Sequence, residues 1–168
     1  MSVDTSVIGR RTGAWRVALD RSVLGNFAAS VGDTSPVYRR AAAVRAAGLD
    51  AVPAPPTFTF AAPYWSRLST DEQPADPTEG GGNPMHAIMG ELHARGALVL
   101  HGEQEFVYHR TPVAGDVLDG VQTITDIYEK ASDSADMTFV VMETQWKDAD
   151  DGAPVVTEQF NLIARLKK

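Results

Sequence analysis

The spacing of apolar residues changes near the middle of the chain. Up to residue 96 they recur every three or four positions, in short runs closed by glycine or proline. From residue 98 onward they fall into four long stretches, alternating or continuous. The first spacing is that of helices and the second that of strands. Residues 1–12 read as a frayed lead-in and 13–20, GAWRVALD, as one early strand. Ser22 caps a short helix with Leu24, Phe27, Ala28 and Val31 on one face, and Gly32 stops it. A second helix, rich in Ala and Arg, spans 38–47 and ends at Gly48.

Residues 51–68, AVPAPPTFTFAAPYWSRL, are the most apolar part of the chain. Pro55 and Pro56 suit a helix start. Pro63 removes an interior hydrogen bond, so a kink or a late start is expected there. This helix is expected to be buried on most sides. Residues 69–82 form a polar, glycine-ended loop, read as a lid, a binding loop or a mobile excursion. A further helix spans 83–96, with Asn83 as cap, Pro84 in the first turn and Gly96 at the end. Met85, Ile88, Met89 and Leu92 make its apolar stripe.

The four late stretches are 98–110, 117–131, 136–146 and 155–166. TPVAGD, SDSA and KDADDGAP join them, all with turn chemistry. Such short connections predict antiparallel neighbours. In the first stretch, alternation puts Leu98, Leu100, Phe106 and Tyr108 on one face and His101, Glu103, Glu105 and His109 on the other. Helices early and strands late predict an α+β fold in which an antiparallel sheet covers helices on one side. The expected organisation is a lead-in over 1–14 and one domain over 15–168, with a mobile loop at about 69–82.

Composition narrows the function classes. The 168 residues carry a net charge of −7, with 43% hydrophobic and 22% charged residues. That is ordinary for one globular domain. The sequence pI near 5.0 and the lack of a basic patch argue against nucleic-acid or anionic-membrane partners. There are no cysteines, so disulfides, thiolate metal sites and a cysteine nucleophile are excluded. This fits a reducing cytoplasm. No apolar run approaches the ~20 residues of a membrane helix, and the first residues lack a signal peptide's apolar core.

The four histidines do not form a metal site by spacing. His86 and His93 are separated by ~10 Å along one predicted helix. His101 and His109 are roughly 26 Å apart along one strand. The run EGGGNP lacks the phosphate-loop pattern, and KDADDGAP lacks calcium-loop spacing. Phe58, Phe60, Tyr64 and Trp65 either form the core of the central helix or line an acyl tunnel.

Four segments together resemble the MaoC-like dehydratases, specifically their N-terminal type, akin to the dehydratase domain of large fatty acid synthases. FAASVGDTSPVY is similar to the hydratase segment in which Gly-Asp is followed by Asn-Pro and a histidine. APPTF is similar to the entry of the central helix, LHGEQEFVYHR to the first long strand, and PVAGD to the turn after it. The likeness covers roughly residues 15–166. It implies a hot-dog fold, a long helix wrapped by a five- or six-stranded antiparallel sheet that pairs with a second such sheet. It implies an acyl thioester substrate, on coenzyme A or acyl carrier protein, with coenzyme A favoured. The implied reaction is reversible hydration of a trans-2-enoyl thioester to an (R)-3-hydroxyacyl thioester, in the cytoplasm, without metal or other cofactor.

The implied catalytic candidates are Asp33 and, at the position of the family histidine, Tyr38. His86, which follows the glycine run, is a further candidate base. Pro56, Thr57, Phe58, Phe60, His101 and Gly102 are the implied substrate-binding residues. Tyr38 departs from the pattern, because a phenol is a poor base near neutrality though a good hydrogen-bond donor. Ser35 also replaces the usual asparagine. Three readings follow. The chain is a subunit that works beside a partner carrying the Asp-His pair, or a homodimeric hydratase with altered groups. The third is a non-catalytic acyl-thioester-binding or scaffolding subunit, with a hot-dog thioesterase as a weaker variant.

Overall fold

The computed structural model describes residues 3–75 and 82–168. Five strands form one antiparallel sheet: β1 (Arg11–Ala18), β2 (Leu98–Tyr108), β3 (Val117–Ala131), β4 (Ala135–Asp148) and β5 (Pro154–Lys167). Among the described residues four α-helices precede β2: α1 (Arg21–Ser30), α2 (Ala41–Ala46), α3 (Phe58–Trp65) and α4 (Pro84–Ala94). The strand order is β1-β3-β4-β5-β2. Hairpins join β3 to β4 and β4 to β5, as their turns predict. The connection after β2 does not make a hairpin, because β2 pairs with β5 instead. β2 therefore lies at one edge of the sheet and β1 at the other.

The helix-facing side of the sheet is laid out in rows, since paired residues of antiparallel strands point the same way. Gly120, Trp146, Val156 and Tyr108 form one row, and Ile124, Met142, Phe160 and Gln104 another. Gly120 makes room for Trp146: a Cβ there would sit 2.5 Å from the indole. One apolar cluster joins Trp146, Val155 and Val156 to Leu24, Phe27, Tyr38 and Phe58 under α1 and α3. A second joins Ile88 and Leu92 of α4 to Ile124, Val140 and Met142.

Several local expectations are corrected. Val3 and Val7 are buried in the second cluster, with a 3₁₀ turn over Thr5–Val7, so residues 3–7 are packed down rather than frayed. The α1 cap is Asp20, whose carboxylate accepts the Ser22 N–H at 2.7 Å, and Val31 is exposed. A 3₁₀ turn over Pro36–Tyr38 precedes a shorter α2. α3 is eight residues long, about 12 Å at 1.5 Å per residue. It runs through Pro63 and buries Phe58, Thr59 and Ala62, while Tyr64 is 87% exposed. It is buried on one side only.

The phase of β2 also differs from the alternation. The register against β5 shifts between His101 and Gln104. This bulge inserts a residue and turns later side chains over. Leu98 and Leu100 thus face outward with Glu105 and Val107, whereas His101 joins Phe106 and Tyr108 on the helix side. Gly102 sits inside the bulge, where a Cβ would lie 2.7 Å from the Asn161 carbonyl oxygen.

Of the loop at 69–82, residues 76–81 lie outside the described residues, and with them most of the glycine run. The earlier part is anchored: the Gln73 amide accepts the Arg16 N–H at 3.0 Å and donates to the Arg16 and Leu68 carbonyls. Among the described residues no helix is long and apolar enough to cross a membrane.

Candidate functional site

The turn after α1 is built by two hydrogen bonds from its own backbone. Gly32, with φ +77°, ends the helix. The Asp33 N–H then donates to the Ala28 carbonyl at 2.8 Å. The Asp33 carboxylate accepts the Ser35 N–H at 2.8 Å, closing an Asx turn before Pro36. The Arg39 guanidinium holds the Asp33 carbonyl at 3.2 Å. Asp33 is half-buried, so one carboxylate oxygen is committed to the turn and the group still reaches solvent.

Tyr38 is buried in the first apolar cluster. Burial, then the nearby charge of Asp33, then Tyr108, push its phenol above the ordinary tyrosine range. It keeps its proton at neutral pH and is therefore not a base. The three side chains Asp33, Tyr38 and Tyr108 therefore share one neighbourhood, at the start of α3.

Thr57 is the residue before α3, and it adopts the left-handed conformation, with φ 68° and ψ −2°. It is the one non-glycine residue with positive φ among the described residues. Its N–H donates to the Tyr108 hydroxyl at 3.2 Å. Pro56 and Thr57 are exposed. Phe58 is fully buried and packs edge-on against Phe27 at 5.1 Å. Phe60 lies farther along α3, where its ring meets His101 at 5.5 Å and Phe160 at 5.4 Å.

The substrate-binding candidates thus divide. Pro56, Thr57 and Tyr108 lie at the mouth of α3 with Asp33 and Tyr38. Phe60 and His101 form an aromatic group with Phe160 under the helix. Phe58 is core, and Gly102 answers a steric need of the bulge. His86 is exposed on α4, which packs on the second cluster. Among the described residues no hydrogen bond, ion pair or ring contact joins it to Asp33. No group of three or more potential metal ligands is assembled among the described residues.

Two residues escape a reading of the sequence. Tyr108 lies in LHGEQEFVYHR, but only the bulge turns it toward α3, where it meets Thr57. Glu158 is buried on the helix side of β5 and accepts the Thr59 hydroxyl at 2.9 Å. Its burial raises its pKa, tempered by the nearby Trp146 indole and the Thr59 and Thr144 hydroxyls. A signal existed: Glu158 interrupts the apolar phase Val156, Phe160, Leu162.

Residues 6–158 match the family described as FAS1-like, dehydratase domain region. A UPF0336 protein of Saccharopolyspora erythraea is 34% identical over 168 residues, covering 98% of this chain and 93% of that protein. The fold is similar to the ChsH1-ChsH2 complex from Mycobacterium tuberculosis, with a TM-score of 0.69 at 19% identity, over 91% of this chain and 83% of that one. It is also similar to the C-terminally truncated HadBC (3R-hydroxyacyl-ACP dehydratase) complex from the same organism, with a TM-score of 0.63 at 22% identity, over 97% and 99%. A MaoC-like dehydratase from Rhodospirillum rubrum gives 0.60 at 13% identity, over 100% and 98%. The chain belongs to the FAS1-like dehydratase-region family and has the hot-dog fold of the MaoC-like dehydratases.

Proposed function

We propose that this chain is one subunit of an (R)-specific enoyl thioester hydratase, or 3-hydroxyacyl thioester dehydratase, working beside a MaoC-like subunit that carries an Asp-His pair. The observation that carries the proposal is Tyr38. Hydration adds water oxygen to C3 and a proton to C2 of the enoyl thioester. It needs a base for the water, an acid for C2, and donors for the charge that develops on the thioester oxygen. Among the described residues the hydrogen bonds of Asp33 go to Ser35, Arg39 and Ala28 and to no histidine, and a buried phenol with a raised pKa does not take a proton from water near neutrality.

The partner then supplies the acid-base pair, and this chain supplies acyl-binding surface. Pro56, Thr57, Phe60 and His101 are the residues proposed for it. The long edge strand β2, with Leu98, Leu100 and Val107 exposed, supports pairing with a second sheet, which removes an open edge. Two of the structures it resembles are named as complexes, which supports a two-subunit assembly. The acyl carrier proposed is coenzyme A, and an acidic chain without cysteine is in keeping with a cytoplasmic setting.

The non-catalytic binding reading keeps one specific support: an oxygen of Asp33 is spent on the Asx turn. Mixing the chain with a candidate Asp-His MaoC-like subunit tests between them. The proposal expects a complex that hydrates enoyl-CoA while this chain alone does not. A stable complex no more active than the partner by itself would favour the binding role.

A further inference from the structure

The side of the sheet away from the helices carries an apolar row of its own. Tyr128, Phe139, Ile163 and Leu100 lie in register on β3, β4, β5 and β2. Tyr128 and Phe139 stack at 4.7 Å with an interplanar angle of 7°, and the Lys130 amine lies over both rings, at 5.3 and 5.2 Å. Neither apolar cluster on the helix side includes Tyr128, Phe139 or Ile163. All three are half-buried, and Leu100 is 40% exposed.

Charge on this face is sorted along the strands. On one side of the row, toward the β3–β4 turn, stand Lys130, Arg165 and Lys167. On the other stand Asp126, Glu143 and Glu105, with Arg11 closing the Glu143 row on β1. Among the described residues no ion pair joins any of these three cations or three anions to another group. The two ends do not meet within one chain: Lys130 and Asp126 are about 13 Å apart along β3 at about 3.3 Å per residue. Aromatic side chains ringed by unpaired charge are the composition of an interface rather than of a bare surface.

We propose that this outer face packs against the same face of a second copy of this chain, about a twofold axis that crosses the strands along the Tyr128–Phe139–Ile163 row. Such an axis sets the aromatic row on its own copy and exchanges the two charged ends. Lys130 then faces Asp126 of the copy, and Lys167 faces Glu143 and Glu105. An axis along the strands would instead set each charged end against its own kind. The strands of the two sheets stay nearly aligned, as packed sheets do. From the Lys167 level to the Glu105 level the face has five rows on four strands. At about 6.7 Å per row and about 4.8 Å per strand it covers roughly 500–600 Å² on each copy, which reaches the total of about 1,000 Å² that a specific interface needs. The pairing uses side chains rather than the backbone edge of β2, and neither Asp33, Tyr38 nor any residue of α3, so it stands apart from the hydratase reading.

The test is sedimentation equilibrium of the whole chain and of two charge-reversed variants. One carries Lys130→Glu with Lys167→Glu, the other Asp126→Lys with Glu105→Lys. All four side chains are exposed, so neither variant disturbs the core. The parent is expected to dimerise. Each variant alone sets like charges together at both ends of the interface and is expected to raise the dimer dissociation constant at least about tenfold. An equimolar mixture of the two restores opposite charges at both ends, so it is expected to dimerise about as tightly as the parent. A parent that is monomeric at every concentration overturns the proposal. So does a dimer that both variants leave unchanged, as pairing through the β2 edge would, or a mixture no tighter than its parts. No turnover is read, so the result is independent of whether the chain takes part in hydration.

Discussion

The backbone N–H of Thr57 donates to the hydroxyl of Tyr108, 51 residues away, at 3.2 Å. The bond ties the left-handed entry of α3 to the end of the edge strand β2. A threonine at positive φ is strained and persists where its surroundings hold it. Tyr108→Phe removes the acceptor and leaves an exposed N–H to water, so the expected loss is at most about 1 kcal/mol of stability. Urea unfolding of the two proteins checks it, with m unchanged.

Gly102→Ala is expected to destabilise the chain by about 1–3 kcal/mol, as overpacking does. The new Cβ would meet the Asn161 carbonyl oxygen, which is backbone, and the Ile163 side chain, each at 2.7 Å. Thermal unfolding measures this without any ligand. An unchanged midpoint would free Gly102 from its steric role in the bulge.

Glu158 has a pKa raised in the folded chain, chiefly by burial, with Trp146, Thr59 and Thr144 opposing. The folded state therefore holds this proton more tightly than the unfolded state does. Its contribution is fully present below the ordinary glutamate value and is lost as pH rises through the raised folded value. Glu158→Gln does not titrate. The variant should gain on the parent as pH climbs through that window and stay level beyond it. Chemical unfolding at a series of pH values tests this, and a difference flat with pH would contradict it.

Tyr38→His places an imidazole in the neighbourhood of Asp33, where the resembling family has its histidine. A base with a pKa near neutrality is worth roughly 10²–10⁴ in rate when it is positioned. The expected outcome is hydration of crotonyl-CoA by a chain that lacks it otherwise, with some stability lost from the cluster that Tyr38 fills. Steady-state loss of enone absorbance reads the gain.

The four late strands were legible to within two residues because each carries a long alternating run between turn residues. Their order was not. Nothing local says that β2 crosses to pair with β5. The faces of β2 were misread for a related reason: a bulge depends on the partner strand, and one inserted residue reverses every side chain after it. The turn that holds Asp33 was legible, since Gly-Asp-x-x-Pro punctuates two predicted helices. The burial of Tyr38 was not, because it lies in a three-residue 3₁₀ turn with no periodicity to read. Glu158 was hidden by its strand: a lone acid in an apolar phase reads as solvent-facing until α3 is seen to cover it.

With Tyr38 in place of a histidine, this chain is expected not to complete the acid-base pair by itself. The direct measurement is hydration of enoyl-CoA thioesters of several chain lengths by the purified, folded chain, beside its Asp33→Asn variant. Neither protein is expected to turn over substrate. Turnover by the unmodified chain that disappears with Asp33→Asn would contradict it and make Asp33 catalytic without a partner.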